Sequence, residues 1–229
     1  MSGTVVRNIH RAEAGVISTL ERLGVSTVHE AQGRSGLMAP HMRPLWRGAR
    51  IAGSAVTALC HPGDNWMIHV ACDVVKKGDI LVVACSSENS DGAFGELLAT
   101  SLVALGVRGV VLDLGCRDAA EITAMKFPLW SRAISAKGTV KASIGSVNLP
   151  VVCAGVNVKA GDVVVADDDG VVVVPRLEAA KVAKAGEERE KKEAASRARL
   201  QKGEIGLDIY DMRKSLADKG LKYVDGPLD

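Results

Sequence analysis

The sequence predicts an α/β fold built on a parallel βαβ unit. Two short apolar runs, GDILVVAC at 78–85 and GVRGVVLDL at 106–114, are continuous rather than alternating, as in strands covered on both faces. Between them FGELLATSLVALG, 94–106, sets Leu97, Leu98, Leu102 and Leu105 at helical spacing and closes on Gly106. A further helix follows DLGC, so residues 79–121 read as strand, helix, strand, helix, with a right-handed crossover.

The other elements follow in chain order. HRAEAGVISTLERLG, 10–24, has helical periodicity and a glycine stop, and VSTVHEAQGR, 25–34, reads as a second helix entered through Ser26. ARIAGSAVTALC, 49–60, is strand-like. Beyond Met125 turn residues alternate with Val-rich runs, and DDDG at 167–170 joins two of these as a hairpin. KKGDILVVA at 76–84 recurs as KAGDVVVAD at 159–167, which reads as shared turn chemistry rather than a repeat. From Arg176 to Gly203 Ala, Glu, Lys and Arg dominate, predicting a long helix whose thin apolar stripe suits a neighbouring surface. GLDIYDMRKSLADKGLKYV regains apolar periodicity and reads as one short helix packed down. The expected division is a catalytic α/β domain, 1–175, and a C-terminal helical extension, 176–229, lying on a neighbouring subunit.

Composition narrows the function classes. The chain has 229 residues, 47% of them apolar and 3% aromatic, with a net charge of +2. That is enough for a Val/Leu/Ile/Ala core, and it lacks the basic, aromatic-laced face of a nucleic-acid binder. Cys60, Cys72, Cys85, Cys116 and Cys153 form no CxxC pair and read as free thiols. With neither a signal core nor a membrane-length apolar run, a cytoplasmic protein that binds no membrane is expected.

The stretch DLGCRDAAE, 113–121, ends a core strand with Arg117, Asp118 and, three residues on, Glu121. In an open α/β sheet ligands sit beyond the carboxyl ends of the parallel strands, where the helix after Gly95 also begins. Glu96, Arg117 and Asp118 should therefore converge there. The free N–H groups of Leu97 and Leu98 and the helix dipole favour an anion, and the Arg117 fork suits a carboxylate or a developing enolate. Carboxylates without a His or Cys pair suit a hard cation such as Mg²⁺, which keeps most of its waters. The site reads as metal plus anion, with a 2-oxo acid as ligand. Competing readings stand beside this: Asp118 as a helix N-cap, Glu121 as dipole compensation, and Arg117–Asp118 as a surface ion pair. In PGDNWMIHV, 62–70, Asn65 and His69 either line the pocket or cap and pack a helix. Glu30 reads as a site group or a helix-face salt bridge, and the DDDG carboxylates as a solvated turn or a calcium site.

The spacing Glu96-x20-Arg117-Asp118-x2-Glu121 resembles the signature of the class II pyruvate aldolases that act on 4-hydroxy-4-methyl-2-oxoglutarate and 4-carboxy-4-hydroxy-2-oxoadipate, relatives of regulator of ribonuclease activity A. LGVSTVHEAQGR, GSAVTALCHPGDNWMIHVA, FGELLATS, GTVKASIGSVNLPVVCAG and VVADDDGVVVVPR are similar to segments of those enzymes, so the resemblance covers nearly the whole chain. It implies a layered β/β/α swivelling-domain-like fold, in homotrimers or homohexamers with sites at subunit interfaces. It implies that Asp118 binds Mg²⁺ or Mn²⁺, that the acidic residue at 96 holds a metal-bound water, and that Arg117 binds the pyruvate oxygens. It also implies that Leu97 and Leu98 N–H groups bind the pyruvate carboxylate, that Asn65 touches substrate, and that Glu193 reaches a neighbour's site. Glu96 departs from the commoner aspartate by about one methylene.

The expected reaction is metal-dependent cleavage to pyruvate plus pyruvate or oxaloacetate, in breakdown of protocatechuate- or gallate-type aromatic acids, with oxaloacetate decarboxylation through the same enolate. No lysine lies inside an apolar run, and Lys76, Lys77, Lys126 and Lys137 read as solvated ends, which disfavours a Schiff-base route. The alternatives are a dedicated oxaloacetate decarboxylase and a non-catalytic, ribonuclease-regulator-like binding protein. A phosphohistidine carrier would need an exposed histidine on a Gly-rich turn, for which His61 is the candidate.

Overall fold

The computed structural model describes residues 3–227. Met1, Ser2, Leu228 and Asp229, which the expected domain bounds include, lie outside them. The elements are β1 (Thr4–Val5), α1 (Ala14–Ala31), β2 (Arg43–Pro44), β3 (Ile51–Cys60), α2 (Trp66–Ala71), β4 (Ile80–Cys85), β5 (Gly92–Phe94), α3 (Glu96–Ala104), β6 (Gly109–Cys116) and α4 (Ala119–Ala124). There follow β7 (Leu129–Ile134), β8 (Ser146–Val147), β9 (Val151–Cys153), β10 (Val156–Val158), β11 (Val163–Asp167), β12 (Gly170–Val174), α5 (Ala179–Leu200), α6 (Gly206–Ile209) and α7 (Arg213–Asp218).

The main sheet runs β1-β8-β3-β4-β6-β7-β2, and β3, β4, β6 and β7 are parallel. This is the expected βαβ core. The long strand β3 serves three partners, with β8 antiparallel to Ala58 and Leu59. Its second half, from Ala55, pairs with β4, while Ile51–Ser54 pairs antiparallel with β11, whose hairpin partner is β12. One strand thus joins two sheets into layers.

Alternation along β4 explains its continuous apolar run. Leu81 and Val83 face a core with Met67, Ile68, Leu98, Leu102 and Ile122 of α2, α3 and α4. Ile80 and Val82 face the opposite core with Met42, Trp130, Val164 and Val171. A third core lies beyond the hairpin, where Val163, Val165, Val172 and Val174 meet Leu20, Leu23, Val25 and Val28 of α1 and Ala179 and Val182 at the start of α5. The architecture is layered α/β, as expected.

Local detail refines the sequence reading. The two N-terminal helices are one run broken at Gly24 (φ 79°, ψ 170°), and the second is entered at Val25 rather than through a Ser26 cap. The Val25 N–H donates instead to Asp167 Oδ2 at 2.9 Å, and Ser26 Oγ donates to Asp169. β7, the sequence LWSRAI, carries no alternation that marks it as a strand, yet it fills the place beside β6. The C-terminal segment forms two short helices, α6 and α7, not one packed helix, and neither has a buried residue. The chain forms two compact units, Met1–Gly186 and Glu187–Asp229. The first turns of α5 supply Ala179, Val182 and Ala183 to the third core, whereas its later residues are polar. No helix among the described residues is long and apolar enough to cross a membrane.

Candidate active site at the carboxyl edge of the parallel strands

A cavity of about 160 Å³ opens at the carboxyl end of β6, beside the start of α3. Asn65, His69, Gly92, Gly95, Leu97, Leu98, Arg117, Asp118, Thr139 and Lys141 are on its wall. Four elements and one loop supply them: α2 with the residue before it, β5, the start of α3, the end of β6, and the connection from β7 to β8.

Asp118 directly follows β6 in the left-handed region (φ 54°, ψ 42°) and stands at the N-cap position of α4, yet its side chain makes no bond to that helix. The twist sends the carboxylate backwards, and Oδ2 accepts the N–H of Glu96 at 2.9 Å. Asp118 therefore caps α3, a helix that precedes it in sequence. The simple N-cap reading fails because the backbone turn points the group the other way. Arg117 Nε lies 3.7 Å from the same Oδ2, and both side chains stay about half exposed, 48% and 40%. Both cross closely over Gly95: a Cβ there would meet Asp118 Oδ2 at 2.4 Å and Arg117 Nε at 3.1 Å. The backbone locks the arrangement, with the Arg117 N–H donating to Phe94 O at 2.8 Å.

Leu97 and Leu98 stand in the first turn of α3, where N–H groups have no carbonyl of their own helix to bind. Leu98 is buried, whereas Leu97 is 80% exposed. The Glu96 side chain follows its own helix, where Oε1 accepts the Thr100 hydroxyl at 2.7 Å, and it is not on the cavity wall. Glu121 is exposed in the first turn of α4.

Asn65 is on the wall and buried. Its Nδ2 donates to Ala93 O at 2.8 Å, while its Oδ1 has no partner. A buried acceptor without a donor is costly, and this one belongs to a wall residue, where a ligand hydroxyl or water can satisfy it. The cap of α2 comes from Asp64, whose Oδ1 accepts the Trp66 N–H at 2.8 Å. Its Oδ2 accepts the N–H groups of Ala142 and Ser143 at 2.6 and 2.8 Å. Burial opposes ionisation of Asp64, but the three N–H groups outweigh it and hold the carboxyl below the usual range. His69 is held below the usual imidazole range by partial burial and by nearby Lys141.

Thr139 and Lys141 carry no signal in the sequence, since they lie in a loop far along the chain from Arg117 and look like ordinary turn residues. Gly138 beside them passes close to Arg117, where a Cβ would lie 3.5 Å from Nη1. Other candidates resolve elsewhere. Glu30 pairs with Arg34 at 3.0 Å on the face of α1. His61 meets Ser86 Oγ at 2.9 Å. Of the DDDG carboxylates, Asp167 accepts from Val25 and Asp169 N–H groups, Asp168 from Gly48 N, and Asp169 from Ser26. They are occupied by protein donors, not arranged for calcium. Glu193 belongs to the second unit, where Arg189 pairs with it at 2.7 Å. The five cysteines are free, and burial pushes the Cys60 thiol up to about 12.

Among the described residues no group of three or more His, Cys, Asp or Glu is arranged to hold a metal. Asp118 is the carboxylate on the cavity wall, half exposed, with Oδ2 turned to Glu96 N and Arg117. One carboxylate is a donor set that fits a hydrated hard cation, which takes one or two protein carboxylates and keeps its waters, and not a dehydrated cage.

Comparison with known proteins places the chain among relatives. A protein of Halalkalibacterium halodurans, provisionally named a 4-hydroxy-4-methyl-2-oxoglutarate aldolase, is 27% identical over 166 residues, covering 72% of this chain and 79% of that one. One of Burkholderia multivorans with the same provisional name is 30% identical over 143 residues, covering 62% and 87%. The crystal structure of Streptomyces coelicolor RraAS2, described as an unusual member of the RNase ES inhibitor RraA protein family, superposes with a TM-score of 0.74 at 28% identity, covering 82% and 100%. The model of the RraA-like family, described as Aldolase/RraA, matches residues 16–173. With more than half of its length matched, including the Gly95–Asp118 site, the chain belongs to the Aldolase/RraA family.

Proposed function

We propose that the protein is a divalent-metal-dependent aldolase that releases pyruvate from 4-hydroxy-4-methyl-2-oxoglutarate or 4-carboxy-4-hydroxy-2-oxoadipate. The observation that carries this reading is one cavity with two separate cationic points, Arg117 and Lys141, beside the first-turn N–H groups of α3. A 2-oxo acid with a second carboxylate uses both. Its pyruvyl carboxylate binds the Leu97 and Leu98 N–H groups and its far carboxylate binds Lys141. The unpartnered Asn65 Oδ1 suits a donor such as the C4 hydroxyl.

A base takes the C4 hydroxyl proton, and that carbon becomes a carbonyl as the C3–C4 bond breaks. The bond pair moves into the C2–C3 enolate and its charge onto the 2-oxo oxygen. Arg117 faces that oxygen, where its positive charge is worth most in the transition state. A Mg²⁺ or Mn²⁺ ion held by Asp118, when bound, adds Lewis acidity to the same group. Glu96, in the first turn of α3 with its carboxylate turned to the Thr100 hydroxyl, would have to swing from there toward the cavity to hold the water that returns a proton to the enolate methylene. Oxaloacetate reaches the same enolate by loss of CO₂ and should also react. Lys141 is exposed rather than set in an apolar pocket, which supports an electrostatic role over a Schiff base.

The test is pyruvate release from both hydroxy-oxo acids and from oxaloacetate, with Mg²⁺ and with EDTA. Release should depend on metal and fall about 10²- to 10³-fold in Arg117→Ala. Metal-independent turnover, or full activity in that variant, overturns the mechanism. Turnover of none of the three favours a binding role like that of the RNase ES inhibitor family to which RraAS2 belongs.

A further inference from the structure

We infer that Asp64, a buried residue outside the cavity wall, is a positioning residue that sets where Lys141 stands and so fixes the reach of the site toward a second carboxylate. The inference rests on the aldolase reading for its substrate, but its geometry stands alone. Segments 63–66 and 139–143 run side by side. Val140 N–H donates to Gly63 O at 2.8 Å and Asn65 N–H donates to Val140 O at 3.1 Å. There the backbone ladder stops, and the Asp64 carboxylate extends it. Oδ2 takes the next two loop N–H groups, from Ala142 and Ser143, while Oδ1 takes the Trp66 N–H at the head of α2. One carboxylate thus ties the wall bearing Asn65 and His69 to the wall bearing Thr139 and Lys141.

The clamp matters because no residue of 139–144 is buried. Val140 is 61% exposed and Ile144 58%, while Asp64 itself is 2% exposed. The loop's earlier part is tied separately, by Gly92 N–H to Lys137 O at 2.7 Å and by Lys137 to Asp91 at 3.0 Å. Lys141 sits directly before the two clamped N–H groups, so their loss frees its backbone. Three N–H donors around one anion are charge-assisted bonds, each stronger than a neutral one. Asn at 64 keeps the size but brings its own donors against those N–H groups.

Four full-length proteins separate this role from a general one: wild type, Asp64→Asn, Lys141→Ala and the double variant. Asp64→Asn should raise KM for the two-carboxylate substrates roughly tenfold with kcat less affected. Deuterium exchange into the methyl group of pyruvate, which has no second carboxylate, should change less than about twofold. The double variant should be no worse than Lys141→Ala. Additive losses, or cleavage and exchange falling together, overturn the inference. Amide hydrogen exchange gives a readout without turnover: residues 139–143 should exchange roughly tenfold faster in Asp64→Asn while α3 is unchanged. Unchanged exchange in that loop overturns the clamp even if the enzyme is active. Faster exchange with no turnover in wild type upholds the clamp and counts against the aldolase reading alone. Asp64→Glu, which keeps the anionic acceptor, should fall between wild type and Asp64→Asn, and an effect as large as that of Asn overturns the part assigned to charge.

Discussion

Gly95 shows how narrowly the site is built. Its backbone is extended (φ −139°, ψ −174°), so conformation alone does not demand glycine. Space does, because Asp118 Oδ2 and Arg117 pass directly over it. In Gly95→Ala the carboxylate must move, and being half exposed it can do so cheaply. Stability measured by denaturant should therefore fall by less than about 1 kcal/mol, while activity falls about 100-fold, because a displacement near 1 Å at the reacting groups costs that much. Equal losses in both measurements would mean that Gly95 serves the fold and not the site. Asp118 likewise owes its direction to backbone: the left-handed twist turns what looks like a cap for α4 into a cap for α3.

Short-range chemistry reads well from sequence where a turn is self-contained. The shared KxGD phrases of 76–79 and 159–162 build the same turn twice. Gly78 and Gly161 take φ of 93° and 91°, and Asp79 and Asp162 each accept the N–H of the lysine three residues earlier, at 2.7 and 2.9 Å. The helices fare worse at their starts, because their caps come from afar. Val25, after the Gly24 break, is capped by Asp167 from the hairpin turn, and α2 is capped by Asp64, which also holds the loop before β8. Asp167→Ala should remove acceptors for Val25 N–H and Asp169 N–H together and cost about 1–2 kcal/mol in urea unfolding. A change below a few tenths would show that the break at Gly24 is held by core packing instead.

The second unit, Glu187–Asp229, buries almost nothing of its own, and Tyr210, Tyr223 and Val224 are exposed. Chains with so much uncovered apolar surface commonly bury it against a partner. The reading that Glu193 serves a neighbouring copy's site makes a direct prediction. Arg117→Ala and Glu193→Ala should each be inactive alone, and co-expression should restore activity, since about a quarter of randomly formed cyclic interfaces would carry both native groups. No recovery, or a fully active Glu193→Ala, removes the shared site.

Periodicity and composition were enough to read the βαβ core, the DDDG hairpin, the long polar helix and the region around Glu96, Arg117 and Asp118, because each depends on neighbours in the chain. The strand β7, the direction of the Asp118 carboxylate and the presence of Thr139 and Lys141 on the cavity wall were not legible there. Each depends on which distant backbone groups meet at the edge of the sheet, and residues such as Thr139 and Lys141 have no local pattern to betray them. Bonds between residues far apart in the chain place them, as β6 does for β7 and Asp64 for the loop of Thr139 and Lys141, and those partners exist only once the layers have packed.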